Sequence, residues 1–218
     1  MKVGTDGVLL GAWANCRHAK NILDIGTGTG LIALMAAQKS EAEIDAVEID
    51  KDAAEDAKLN IQNSPWGNRI TLFNTAFQEF AQNSRQKYDL IITNPPYFTH
   101  SKKPQQIGRT YARHNDSLSA ADLFKGVELL LAENGELNII IPADDYLRYI
   151  EAANDINLHC TKKLWVKPTP KIPPKRILLA FNKTKRSCSE NTIVIESNGR
   201  HQYSSEYKAL TKDFYLAF

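Results

Sequence analysis

The sequence predicts an α/β fold: a doubly wound, mostly parallel sheet of seven strands that ends in an antiparallel hairpin near the C-terminus. Three observations predict it. Five strand-like runs each hand over to a helical pattern between residue 21 and about residue 154. Two further strand-like runs, 158–166 and 177–181, follow each other with no helix between them. A turn with three alternating glycines, Gly26, Gly28 and Gly30, joins the first strand to the first crossover helix, where backbone needs left-handed freedom. All 218 residues read as one domain, long enough to bury roughly 70% of the unfolded surface.

Asp6 precedes an apolar stretch and predicts a short opening helix over 5–14, with Asp6 as its cap. Residues 21–25 form the first strand, and the Ala/Leu/Met-rich run 31–38 the first crossover helix. Residues 43–49 give a second strand ending at Asp50, an N-cap for a helix over 51–62. Pro65-Trp66-Gly67-Asn68 breaks the chain before a third strand at 69–73 and a short helix around 78–82. The fourth strand, 88–92, is a continuous apolar run stopped by two prolines, which cannot extend a ladder. Ser119-Ala120-Ala121-Asp122 is a capping pattern that opens a helix through 131, closed at Asn134-Gly135. A strand at 136–141, a helix from 142, the hairpin pair, a short β run at 192–195 and an amphipathic helix at 205–215 complete the chain.

Composition is that of a soluble globular protein, 43% hydrophobic and 24% charged, with a net charge of only +2. Bulk charge therefore points to no polyanionic partner, and such a role would need local clustering. Cys16, Cys160 and Cys188 stand far apart in the chain and are odd in number, which predicts neither a disulfide framework nor a zinc site and suits a reducing cytoplasm. The five histidines show no metal-ligand spacing, so no metal is expected. No apolar run is long enough to span a bilayer, so no membrane partner is expected either.

In a doubly wound sheet, ligands bind at the carboxyl ends of the strands. The glycine turn, Glu48 and Asn94 then lie along one edge. Gly28-x-Gly30-x-x-Ala33 with Glu48 twenty residues on also satisfies the dinucleotide fingerprint, but no residue set for hydride chemistry follows. Asp24, two residues before the first glycine, offers a carboxylate to a cationic group. Asn94-Pro95-Pro96-Tyr97 presents an amide oxygen, a proline carbonyl and an aromatic ring. That set can accept hydrogen bonds from a planar amine and stack on the ring that bears it.

Asp24, Gly26-x-Gly28-x-Gly30 and Glu48 resemble the S-adenosylmethionine site of class I methyltransferases, a Rossmann-like fold. Asn94-Pro95-Pro96-Tyr97 resembles the [Asn/Asp/Ser]-Pro-Pro-[Tyr/Phe] motif of amino-group methyltransferases. The resemblance implies that Glu48 holds the ribose hydroxyls and that Ile49, Ala76 and Phe77 bind the adenine. It also makes Asn94, Pro95, Pro96 and Tyr97 the catalytic set, with Asn94 touching the cofactor too. Residues 1–20 are expected to form a lid helix that contacts the cofactor through Thr5, Asp6 and Gly7.

The opening Lys2-Val3-Gly4-Thr5-Asp6, together with Asn60-Ile61-x-x-Ser64-Pro65-Trp66, Arg176-Ile177-Leu178-Leu179-Ala180-Phe181 and the tyrosine-rich tail, resembles bacterial tRNA adenine-N6 methyltransferases that modify the adenosine 3′ of a valine tRNA anticodon. That resemblance spans nearly the whole chain. Family members carry a further short segment before the Lys-Val-Gly-Thr-Asp pattern, and the expectation is that this segment is either shortened or absent here. It implies a tRNA partner, no DNA and a cytoplasmic monomer. Lys102, Lys103, Arg109, Arg113, Lys171, Lys175 and Arg176, in two basic loops flanking the site, are the expected phosphate contacts. The same motif serves protein glutamine-N5 and rRNA guanine-N2 methyltransferases, and a non-catalytic nucleotide- or RNA-binding module would share the fold.

Overall fold

The computed structural model describes residues 4–96 and 118–216. After helix α1 (Thr5–Trp13), the chain alternates β1 (Asn21–Ile25), α2 (Leu31–Lys39), β2 (Glu43–Glu48), α3 (Lys51–Gln62), β3 (Ile70–Asn74), α4 (Phe77–Asn83) and β4 (Tyr88–Thr93). It continues through α5 (Ala120–Leu130), β5 (Leu131–Pro142), α6 (Tyr146–Asn154), β6 (His159–Lys167), β7 (Arg176–Asn182), β8 (Ser189–Val194) and α7 (Ser205–Thr211). The sheet order is β3-β2-β1-β4-β5-β7-β6-β8. The first five strands are parallel; β7 runs antiparallel to both β5 and β6.

Strand alternation feeds two apolar layers. Leu23 and Ile25 of β1 join Ile91, Phe124 and Tyr149 under α4, α5 and α6, whereas Ile22 joins Leu90, Ile92 and Leu9 under α1, α2, α3 and α7. Phe124 meets Tyr149 and Phe181 edge-on, with centroids 6.3 and 5.6 Å apart, worth about 0.5–1.5 kcal/mol per pair beyond burial. Two expected caps form: Asp50 accepts from Ala53 N at 2.8 Å, and Ser119 accepts from Asp122 N at 3.0 Å, each worth about 1 kcal/mol.

Four expectations are corrected. Asp6 does not cap α1; Gly4 holds that position, and Asp6 sits inside the first turn. Asn134-Gly135 does not close α5. Leu131 already pairs with Tyr88, and the two residues fall where the β4–β5 register shifts, with a Cβ on Gly135 standing only 2.8 Å from the Tyr88 carbonyl oxygen. That glycine marks a bulge against a neighbouring backbone rather than a helix stop. The run expected at 192–195 forms as β8 (Ser189–Val194), which adds to β6 in parallel and makes the sheet eight-stranded rather than seven-stranded. Finally, α7 ends at Thr211, and a 3₁₀ turn, Lys212–Phe214, follows it.

The cysteines are also not all apart. Cys16 is buried, but the Sγ atoms of Cys160 and Cys188 lie 3.6 Å from one another as free thiols. Burial and the neighbouring Cys188 thiol push the Cys160 thiol up to about 12, so exposed Cys188 meets an oxidant first. Oxidised glutathione is expected to consume these two thiols together. Once the two released glutathione thiols are removed, titration of the wild-type protein should fall by two thiols, and Cys188→Ser should protect Cys160; independent loss of single thiols would contradict the pairing.

Candidate active site

The chain order reverses at β1, which lies between β2 and β4, so the carboxyl ends of these strands open a crevice. Backbone bonds hold the glycine turn against β2: Gly26 N and Thr27 N both donate to the Val47 carbonyl, at 2.8 and 3.0 Å. Gly26, Gly28 and Gly30 adopt positive φ of 69°, 59° and 84°, which no side-chain-bearing residue takes without strain. The turn is then tied to the acid beside it. Gly28 N donates to Glu48 Oε2 at 2.8 Å and Asp50 N to Glu48 Oε1 at 2.9 Å. On the other side, Ile25 stands opposite Thr93, whose hydroxyl donates to the Ile25 carbonyl at 3.0 Å. Three chain segments far apart in sequence are thereby fixed to one another.

Between them lies a cavity of about 350 Å³. Its wall takes Ile25, Gly26 and Gly28 from the first strand end, Val47, Glu48 and Ile49 from the second, and Thr75, Phe77 and Gln78 after the third. Thr93, Asn94, Pro95, Pro96 and Leu118 close it. Wider depressions of about 620 and 660 Å³ lie beside Asp213 and Phe214 and draw on no strand end. Lys39 lines the first of these, its ammonium donating to the carbonyls of Gly11, Ala12 and Ala14 that end α1.

The structure therefore brings together Gly26, Gly28, Glu48, Ile49, Phe77, Asn94, Pro95 and Pro96. Gly30 caps α2 behind the turn, and Ala76 caps α4 immediately before Phe77. Thr5, Asp6 and Gly7 do not line the cavity: Thr5 is exposed, and Gly7 packs on Leu31 of α2. Asp6 Oδ2 accepts from Arg176 Nε at 2.8 Å. Arg176 is thus paired with α1, because β7 begins beside the start of that helix. Lys171 and Lys175 are exposed in the β6–β7 loop. Tyr97, Lys102, Lys103, Arg109 and Arg113 lie outside the described residues. The sequence reading did not assign Ile25, Val47 and Thr93, which lie in the three strands themselves, nor Thr75, Gln78 and Leu118. Thr75 and Gln78 flank Phe77 just past a strand end, which is a usable signal; Leu118 carries none.

Asp24 departs furthest from expectation. It is fully buried beneath the turn, with Oδ2 accepting from Thr27 Oγ1 at 2.6 Å and Ala33 N at 3.0 Å. Its second oxygen, Oδ1, is buried and has no hydrogen-bond partner among the described residues. Burial raises its carboxyl to about 7 against the Thr27 and Ala33 hydrogen bonds, and Glu48 adds to the rise. The folded protein therefore keeps a proton that the unfolded chain has lost, so stability falls as pH rises from about 4 to 7 and then levels. Asp24→Asn should flatten that fall. Urea unfolding at pH 5 and pH 8 checks it, and an undiminished pH difference in the variant would contradict it.

A glycine turn at a topological switch point, with acids beneath and beside it and Asn-Pro-Pro on the adjoining strand end, defines a Rossmann-like methyltransferase as the class. The solved structures agree on the fold. A predicted O-methyltransferase from Agrobacterium tumefaciens superposes with TM-score 0.75 at 19% identity over 98% of both chains. A ribosomal protein L11 methylase from Lactobacillus delbrueckii subsp. bulgaricus gives 0.59, also at 19% identity, over 82% of this chain and 78% of its own.

The chain belongs to the methyltransferase small domain family, matched over residues 4–156, and within it to the family of bacterial tRNA adenine-N6 methyltransferases. It is 46% identical to the tRNA1(Val) (adenine(37)-N6)-methyltransferase of Trichodesmium erythraeum, over 100% of this chain and 92% of the relative. Against the like-named protein of Bacteroides fragilis it is 48% identical over 99% and 91%. Among the described residues no helix is long and apolar enough to cross a membrane, and no group of three or more His, Cys, Asp or Glu could hold a metal.

Proposed function

We propose that the protein methylates N6 of an adenosine in tRNA, position 37 beside the anticodon of tRNA1(Val), with S-adenosylmethionine as methyl donor. One observation carries the reading: a single cavity joins Glu48 and the glycine turn to Asn94-Pro95-Pro96 across the Ile25–Thr93 pair. The relatives' names and the full-length identity supply the substrate.

The residues present fit that cofactor. The cavity lies within the usual range for small-molecule sites, roughly 300–1,000 Å³. A Cβ built on Gly26 meets nothing within 4 Å, so the turn faces open space. Glu48 has accepted one hydrogen bond on each oxygen and keeps lone pairs for ribose hydroxyls. Ile49, half exposed at the rim, and Phe77 form an apolar slot for the adenine. Asp24 lies beneath the turn and outside the cavity wall, so it braces the turn through Thr27 and Ala33 rather than meeting the ligand directly. When bound, the cofactor supplies an electrophilic methyl on a sulfonium.

Everything else is done by this chain. An exocyclic amine conjugated to a purine is a poor nucleophile because its lone pair is delocalised. The Asn94 side-chain oxygen and the Pro95 carbonyl accept its two hydrogens, which favours a pyramidal nitrogen and frees the lone pair for attack. Prolines suit this place, since a strand end without N–H donors leaves carbonyls aimed outward. No strong base is required, as the nitrogen becomes acidic once alkylated, so the work is positioning and fixed dipoles. Tyr97 stacks on the target base, worth about 1–3 kcal/mol. Lys102, Lys103, Arg109, Arg113, Lys171 and Lys175 hold phosphates, and a tRNA substrate implies a cytoplasmic enzyme.

The test is incubation with labelled cofactor and bulk tRNA, followed by nucleoside analysis. Label in N6-methyladenosine supports the reading. Label in N2-methylguanosine or in a protein glutamine overturns it.

A further inference from the structure

The β8–α7 connection rises at the same edge of the sheet as the cavity. Register carries the placement: Thr93 stands opposite Ile139, Pro142 opposite Arg176, Val166 opposite Arg176, and Lys167 opposite Val194. Ile195 N and Glu196 N then donate to the carbonyls of Lys167 and Pro168, both at 2.9 Å, so the connection lies along the Pro/Lys loop after β6. It closes as a small hairpin. Ser197 N donates to the Gln202 carbonyl at 2.9 Å, Glu196 bridges Tyr203, and His201 N donates to Glu196 Oε1 at 2.8 Å.

Tyr203 is stacked on buried Tyr207, with centroids 5.3 Å apart and planes at 27°, which anchors the hairpin to α7. Residues 200 and 201 are thereby held out at the tip, both exposed. Charge along this rim is one-sided. Segments 167–175 and 195–203 carry Lys167, Lys171, Lys175 and Arg200 against the single acid Glu196, which is already engaged by the hairpin backbone. Asp144 and Asp145 also stand at this edge, but they begin α6 in the layer opposite α7.

We infer that this hairpin and the adjoining Pro/Lys loop form a rail for RNA phosphates, with Arg200 as its outermost contact. The inference rests on the tRNA reading above and extends it to a surface outside the cavity. Four strand spacings separate β4 from β8, about 19 Å, or roughly five to six phosphate steps along one strand of a duplex. A base held at Asn94 would thus leave the stem phosphates of the same RNA over the rail. The contact is with backbone, so it adds affinity rather than choice of base.

Arg200→Ala and Lys171→Ala test it by titrating tRNA at several salt concentrations. Each variant is expected to weaken binding about tenfold at 0.1 M salt and to lower the slope of log K against log salt by about one. Thermal unfolding and affinity for the free cofactor should stay at wild-type values, showing that the fold is intact. A wild type that binds and methylates tRNA beside variants with unchanged affinity and slope would overturn the rail, together with the Lys171 phosphate contact, and leave the methyl-transfer reading standing. A wild type that leaves tRNA unbound would overturn both the rail and the proposed function.

Discussion

Asn94→Ala is expected to slow methyl transfer about 10²–10³-fold, roughly 3–4 kcal/mol, as loss of one preorganised polar group does elsewhere. The strand that carries it is fixed by the Ile25–Thr93 pairing and the Thr93 hydroxyl bond to Ile25, so truncation leaves the backbone and the Pro95 carbonyl in place. One of two acceptors then remains, and the amine nitrogen falls back toward its conjugated, planar form. The loss should sit mainly in kcat under saturating tRNA, with a smaller change in cofactor affinity. Single-turnover kinetics and calorimetry separate the two. A variant turning over at the wild-type rate would remove Asn94 from the active site.

Phe77→Ala is expected to cost about 3–5 kcal/mol of stability, the usual range for deleting a buried aromatic, and to weaken cofactor binding in the same protein. Phe77 is only 5% exposed and opens α4. Its ring presses on the bare backbone of α5: a Cβ at Gly126 would sit 2.4 Å from Phe77 Cε1. The same ring walls the cavity. Removing it therefore opens a void between two helices and strips the slot that faces the adenine. Phe77→Leu should recover most of the stability and less of the binding. Urea unfolding with cofactor titration measures both; an unchanged unfolding midpoint would contradict the packing described.

These two positions were readable in the sequence for different reasons. Asn94 follows a continuous apolar run stopped by prolines, and buried parallel strands read that way because both faces are covered. Phe77 was placed by resemblance to a cofactor site, not by periodicity. The glycine turn and Glu48 were legible because a strand end needs positive φ there and an acid at the next strand end.

What was not legible depends on direction and distance. Position along the chain does not say that Asp24 points under the turn rather than into the crevice. Nor does it say that Arg176 meets Asp6 of the opening helix. The Cys160–Cys188 pair and β8 exist only because β6 and β7 turn back on each other. Asn134-Gly135 carries the local chemistry of a helix stop and was overridden by pairing with β4.

The most direct test of the account compares tRNA1(Val) with the same tRNA carrying guanosine in place of adenosine 37. Methyl incorporation from S-adenosylmethionine is predicted for the first and is predicted to disappear for the second, with the wild-type product digesting to N6-methyladenosine. Equal incorporation into both RNAs would contradict it.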